Sequence, residues 1–310
     1  MNLQEILNIK YPFIQGAMAN ITTGKFAADV SNAGGLGIIA TGGMDVDALY
    51  ENIRICKENT DKPFGVNIIM MHRDIDKIAE LVVREKVPVV TTGAGNPEKY
   101  VKYWKENNIK IFPVISSIAL AKKMESLGVD GLIAEGSEAG GHIGEPTTMV
   151  LTPQVVSSVN LPVVCAGGVA TGRQILAAEV LGACGVQMGT VMLATEECPI
   201  HDNYKEKILK AKTSQVTVIG RINGLPTRLI KNPMSSEYIK KEKEGASIEE
   251  LELFTFGALR KSAINGDIKN GSIMSGQVVG EVNEIKKIED LFKDLYSDYL
   301  EEREKICKSL

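Results

Sequence analysis

Gly140, Gly141 and His142 stand together in the run Glu135-Gly-Ser-Glu-Ala-Gly-Gly-His-Ile-Gly144. An imidazole titrates near neutrality, so a histidine at the mouth of a glycine loop can trade a proton with whatever reacts beside it. The two glycines lack Cβ, which lets the backbone approach a flat ligand or take a positive φ. A tight loop whose histidine merely bonds its own backbone would carry the same letters, so the weight comes from the surroundings. Two more glycine-rich runs each follow an apolar segment: Ala166-Gly-Gly-Val-Ala-Thr-Gly172 and Gln187-Met-Gly-Thr190. The amides of Gly167, Gly168, Gly189 and Thr190 can surround a dianion without a basic side chain. Either run alone would serve as an ordinary tight turn. Two in succession favour a bound phosphate.

The other polar residues at the ends of apolar runs describe what the phosphate is attached to. Gln15-Gly-Ala-Met18 offers Gly16, Ala17 and the thioether of Met18. Asn67 interrupts the apolar run Phe64–Met70, where an unpaired amide would cost free energy. It either bonds a neighbouring loop or serves a ligand's ring. Thr91, Thr92, Gly93, Glu135 and Gln187 add hydrogen-bonding groups. The set suits a planar, phosphorylated heterocycle that both donates and accepts. Flavin mononucleotide (FMN) fits better than a sugar phosphate, since no lysine ends a strand and no clustered carboxylates mark a metal. Cys198 and His201 have loose metal-like spacing, but two ligands without companions make no site, and no metal is expected.

These residues need a frame that brings strand ends together. Short apolar runs alternate with amphipathic segments through the first two-thirds of the chain. The expected strands are Pro12–Gln15, Leu36–Ala40, Phe64–Met70, Val87–Thr92, Lys110–Ile115, Gly131–Ala134, Leu161–Ala166 and Gly185–Met188. They are apolar throughout, as parallel strands covered on both faces must be. Eight βα units predict an α/β fold, a (β/α)8 TIM barrel with its site on the loops after the strand C-termini. The seventh and eighth of those loops are the usual phosphate site. An open doubly wound sheet is disfavoured because no GxGxxG follows the first strand.

The pattern changes after residue 197. The expected division is an FMN-binding barrel over 1–197, a mainly helical lid or substrate domain over 198–275, and a C-terminal helical return over 276–310. Ser247-Ile-Glu-Glu250 predicts a capping box. Ile285, Ile288, Leu291, Phe292, Leu295 and Tyr299 predict one long helix face. The 310 residues carry a net charge of −4, which argues against nucleic-acid binding. No apolar run reaches the ~20 residues of a membrane span. Met1-Asn-Leu-Gln-Glu-Ile6 lacks the pattern of a secretory signal, and five scattered cysteines suit a reducing compartment. A cytoplasmic protein is expected.

The motifs, taken together, resemble a known family. Ala33-Gly-Gly-Leu-Gly-Ile-Ile39, Asp61-Lys-Pro-Phe-Gly-Val-Asn67, Thr91-Thr-Gly-Ala-Gly-Asn-Pro97, the glycine–histidine loop, Ala166-Gly-Gly168 and Gln187-Met-Gly-Thr190 are similar to the nitronate monooxygenase/2-nitropropane dioxygenase superfamily. Within it, Gly257-Ala-Leu-Arg260 and Gly271-Ser-Ile-Met-Ser-Gly-Gln277 resemble the flavin-dependent enoyl-acyl-carrier-protein reductases II, the FabK type. The resemblance covers nearly the whole chain. It implies an FMN barrel, commonly a homodimer, that consumes NADH or NADPH to reduce enoyl groups carried on acyl carrier protein. It also implies His142 as the active-site histidine and the phosphate on Gly167, Gly168, Gly189 and Thr190. The ring falls to Gly16, Met18, Asn67, Glu135, Gly140 and Gly141, with Met274 and Gln277 closing over it. A nitronate monooxygenase on the same barrel is the alternative. The chain departs from the family's usual Gly-Gly-Met-Ala-Trp at Gly16-Ala-Met-Ala-Asn20, at Val114-Ile-Ser-Ser117, where the reductases carry a proline, and at Gly224-Leu-Pro226 in place of Gly-His-Pro. Those positions bear on substrate and nicotinamide contacts more than on the flavin site.

Overall fold

The computed structural model describes residues 1–309; residue 310, the last of the expected C-terminal segment, lies outside them. Eleven strands form: β1 (Phe13–Gln15), β2 (Gly37–Ala40), β3 (Phe64–Ile69), β4 (Val89–Gly93), β5 (Lys110–Ile115), β6 (Leu132–Glu135), β7 (Gly141–His142), β8 (Val163–Ala166), β9 (Gly185–Met188), β10 (Val216–Ile219) and β11 (Thr227–Ile230). Eight of them pair in parallel in the order β1-β9-β8-β6-β5-β4-β3-β2. The ring closes where Ile14 bridges Leu36, with Gln15 N–H donating to the Leu36 carbonyl at 2.9 Å. The Gln15 side chain extends that seam by accepting from Ile38 N–H at 2.9 Å. This is the (β/α)8 barrel that the eight apolar runs predict.

Two shells of core hold the barrel. Inside, Ile14, Ile38, Val89, Phe112, Ile133 and Val164 pack from alternate strand positions, and Leu3 and Leu7 of the helix Leu3–Leu7 join them. Leu3 approaches Gly185, where any side chain would collide with it. The N-terminal helix therefore plugs one mouth and leaves the strand C-termini open at the other. Outside, the intervening strand residues pack on the helices. Helix starts follow local chemistry: Asp45 accepts from Ala48 N–H, and Thr171 and Gln174 complete a capping box.

The segment after the eighth barrel strand holds the helices Asp202–Lys210, Pro233–Lys243, Ile248–Thr255 and Ala258–Ala263. The Ser247/Glu250 capping box is present. The segment also holds an element the helical pattern does not predict. β10 and β11 form an antiparallel hairpin, and β11 adds β7 on its other side, pairing Thr227 with His142 and Arg228 with Gly141. Four-residue strands flanked by charges are too short to register as a period, and β7 is far away in sequence. The helix Ile288–Ser309 returns to the barrel, setting Phe292 edge-on to Phe13 with centroids 5.3 Å apart. Of its expected apolar stripe only Ile285 fails to bury, because it precedes the helix.

Candidate active site

The loops after β8 and β9 face each other across a cavity at the open mouth. Gly167 (φ +91°) and Gly168 (φ +79°) line it in the left-handed conformation that glycine permits. The N–H groups of Gly167, Gly168, Gly189 and Thr190 donate to no protein acceptor. Unpaired backbone donors are rare in folded proteins. Four on one wall form a cradle for an anion. The Thr190 hydroxyl accepts from Gly276 N–H at 2.9 Å and keeps its own O–H to donate beside the four amides.

The same cavity is lined by Gly16, Ala17, Met18, Glu135, Gly140 and Gln187. Ten sequence-predicted residues thus meet in one place. Room for a flat group is visible at the glycines: a Cβ on Gly189 would meet only Met18 Sδ, at 3.8 Å, and one on Gly93 would meet nothing within 4 Å. These features fit FMN, with the phosphate on the amides and the ring over the strand ends. Asn67 donates to Thr91 Oγ1 at 2.9 Å, so a neighbouring strand engages its amide nitrogen while its amide oxygen has no protein partner. Thr91 therefore shares the inward face with Asn67, and Thr92, one residue on, falls on the opposite face of β4. The expectation for Thr92 passes to Thr91.

Residues Ser272 to Gln277 cross beside the cavity as a strap tied along its whole length. Tyr204 Oη donates to the Met274 carbonyl at 2.9 Å, Met274 bridges Leu229, Gly276 meets Thr190, and Gln277 N–H donates to the Glu138 carbonyl at 2.9 Å. Gly140 must lack a side chain because its Cβ would fall 2.6 Å from the Ser275 carbonyl carbon. Met274 Sδ lies 3.5 Å from where Gly141 would carry a Cβ. Gln277 ends the strap at the start of the 3-10 turn Gln277–Glu281. It lines a separate groove of about 360 Å³, behind Gly167 and Gly168, with Gln174 and the outward-facing Cys165.

His142 sits on β7 as an exposed residue, two positions beyond Gly140 of the cavity wall, and no protein group hydrogen-bonds its ring. The other two histidines are tied: His72 contacts the Met44 carbonyl at 2.9 Å, and His201 Nδ1 accepts from Asn203 N–H at 3.1 Å. Partial burial holds the His142 pKa below the ordinary imidazole value, so the ring is neutral at pH 7. Glu135 is the second perturbed group, pushed up to about 7 by burial.

Two side chains that sequence reading missed brace this loop. Arg228, 7 % exposed, donates from Nε and Nη2 to the Ser137 carbonyl at 3.1 and 2.9 Å. An arginine inside the apolar run Thr227-Arg-Leu-Ile230 was the available signal. Glu138 accepts from Thr148 N–H and its hydroxyl, and Thr148 Oγ1 also contacts the Gly167 carbonyl at 2.9 Å. That network couples the histidine loop to the anion cradle.

A family model described as nitronate monooxygenase matches residues 1–298. FabK from Thermotoga maritima is 43% identical in sequence, with a TM-score of 0.97, over 100% of this chain and 99% of that one. A probable nitronate monooxygenase of Staphylococcus saprophyticus is 36% identical, covering 88% of this chain and 90% of its own length. A Rhodococcus jostii protein named (3aS,4S,5R,7aS)-5-hydroxy-7a-methyl-1-oxo-octahydro-1H-indene-4-carboxyl-CoA dehydrogenase is 30% identical, over 96% of this chain and 94% of that one. No helix among the described residues is long and apolar enough to cross a membrane.

Proposed function

The chain belongs to the nitronate monooxygenase family, and from that premise we propose that it is an FMN-dependent oxidoreductase that uses NADH or NADPH to reduce enoyl thioesters carried on acyl carrier protein. The observation that carries the reading is a cavity with four free amide donors, walled by Gly140 of the loop that carries the unpaired His142 imidazole. The full-length likeness to FabK and the thioester named for the Rhodococcus jostii relative support the substrate class.

When bound, FMN supplies hydride acceptance and donation. The chain supplies the rest. The amides of Gly167, Gly168, Gly189 and Thr190 would hold the phosphate, and the open space at Gly93 and Gly189 would leave room for the ring. A neutral imidazole is a hydrogen-bond donor that needs no prior protonation. His142 donates to the thioester carbonyl as negative charge develops there, so it acts on the acceptor side of the reaction. The strap at Met274 excludes water from the reacting face.

Nitronate oxidation is the second reading, and one observation favours it: a neutral His142 is also a competent base. Anaerobic stopped-flow at the flavin band separates the two. Bleaching by NADH or NADPH and recovery with crotonyl thioester support the reductase. Bleaching by a nitronate, and by neither nicotinamide, sinks it in favour of the oxidase.

A further inference from the structure

Glu135 ends β6 with its side chain on the inward face, the same face as Ile133, and lines the cavity with Gly16, Gly140 and Gln187. No protein group hydrogen-bonds its carboxyl, and no lysine or arginine pairs with it. The neighbouring strands bring no cation to it, and Arg228 of β11, the cation against the following loop, is turned to the Ser137 carbonyl and does not act on Glu135. On β5 the one titratable residue is Lys110, exposed at the opposite end of the strand. Cys165 on β8 faces outward, and burial pushes its thiol up to about 11. β1 and β9 carry no titratable side chain. In the following loop Glu138 is held by Thr148, and His142 is neutral at pH 7. A carboxylate here would be half-buried at the cavity wall without a counter-charge, which is costly, and more so once a ligand fills the cavity, whereas a carboxylic acid brings an O–H donor that lacks an acceptor.

We propose that Glu135 works as a neutral carboxylic acid that donates a hydrogen bond to an acceptor on the bound flavin ring. The proposal rests on the FMN reading above. Burial supports it, since it favours the neutral form up to about pH 7. Occupancy of the donor position extends that preference, because the acid gains an acceptor that a carboxylate would repel. FMN binding is then coupled to proton uptake. Below pH 7 the acid is already present and the affinity is flat. Above it each FMN bound takes up one proton, and Kd rises toward tenfold per pH unit.

The test is FMN affinity of the full chain from pH 6 to 9, read by quenching of flavin fluorescence and set against Glu135→Gln. The amide is of similar shape, always neutral and still a donor. Wild type should weaken about tenfold per unit at the alkaline end, while Glu135→Gln stays within about threefold across the range. Titration of the FMN phosphate is common to both proteins and cancels in their ratio. Calorimetry of wild type at pH 8.5 in two buffers of different ionisation enthalpy should register close to one proton taken up per FMN. That measurement decides the matter even where the variant fails to fold. A wild-type affinity that stays flat to pH 9, or a variant that falls in parallel with it, overturns the proposal while leaving the FMN reading intact. A full chain that binds no FMN at any pH overturns that reading first, and this proposal with it.

Discussion

The anion cradle and the histidine loop face one another across the same cavity but are built on opposite principles. The cradle is chiefly backbone. Its four donors are amides of residues that sit directly on the ends of β8 and β9, and its shape follows from glycine conformations encoded on the spot. The histidine loop is a side chain held by remote parts. β11 pairs with Gly141 and His142 from more than eighty residues away, Arg228 grips the Ser137 carbonyl, and the strap packs on Gly140. The contrast teaches that binding is locally determined here, and reactivity is tertiary. Changes in the cradle should alter affinity and spare the chemistry. Changes in the loop should do the reverse.

The largest effect is expected at His142. His142→Ala should slow reoxidation by the enoyl thioester about 10²–10³-fold while FMN affinity stays unchanged, as read by stopped-flow and fluorescence quenching. Its pH profile sharpens the assignment. The His142 pKa is depressed, so the neutral ring predominates at pH 7 and turnover should fall only as pH drops below the ordinary imidazole range. Loss of activity centred at or above that range would contradict a neutral His142.

Gly167→Ala should come next, acting on the other side of the comparison. Its Cβ would fall 2.7 Å from the Gly136 carbonyl oxygen at a left-handed φ. The strain is worth about 2 kcal/mol, and FMN affinity should drop roughly 30-fold with little change in the reoxidation rate at saturating FMN. Equal losses in both quantities would erase the distinction between the two regions. Arg228→Met removes two hydrogen bonds from the Ser137 carbonyl and should cut turnover about 10-fold while leaving Kd for FMN within about 3-fold. Tyr204→Phe should be mildest. It frees the Met274 carbonyl, costs about 1 kcal/mol in urea unfolding and changes turnover a few-fold.

Stability offers a check from outside catalysis. Glu135 has its pKa raised on folding, to about 7 from the ordinary carboxylate value. The folded state therefore binds the proton more tightly than the unfolded one. The stability that goes with it is full at acid pH and is lost as pH rises through about 7. FMN-free Glu135→Gln should accordingly gain on wild type above pH 7 by up to about 3 kcal/mol, and the gap should shrink toward pH 5. A constant difference across that range would mean that Glu135 does not titrate within it.

Much of this molecule could be read from the letters. Eight apolar runs gave eight barrel strands, because a strand covered on both faces has no polar residues to blur its ends. Ser247 and Glu250 announced their helix, because a capping box is a contact between residues three apart. Gly167, Gly168 and Gly189 announced the cradle for the same reason: turn geometry is decided within a few residues. Thr92 falls on the outer face of β4 because strand facing is settled by register, which shifts every side chain when it moves by one. Asn67 was read with its alternatives open, and the adjacent strand engages its amide nitrogen by presenting Thr91.

The sequence by itself determined the barrel, the paired glycine loops at the ends of β8 and β9, and the identity of His142 as the one histidine standing in a glycine loop. Only the tertiary structure decided that the His142 ring has no partner, that β11 and Arg228 fix its loop, and that Glu135 faces inward with no cation in reach. The physical reason is range. Glycine torsions, caps and apolar periodicity are properties of neighbouring residues. An unpaired ring or an uncompensated carboxyl is defined by everything that approaches it in space, and no window of sequence contains that set.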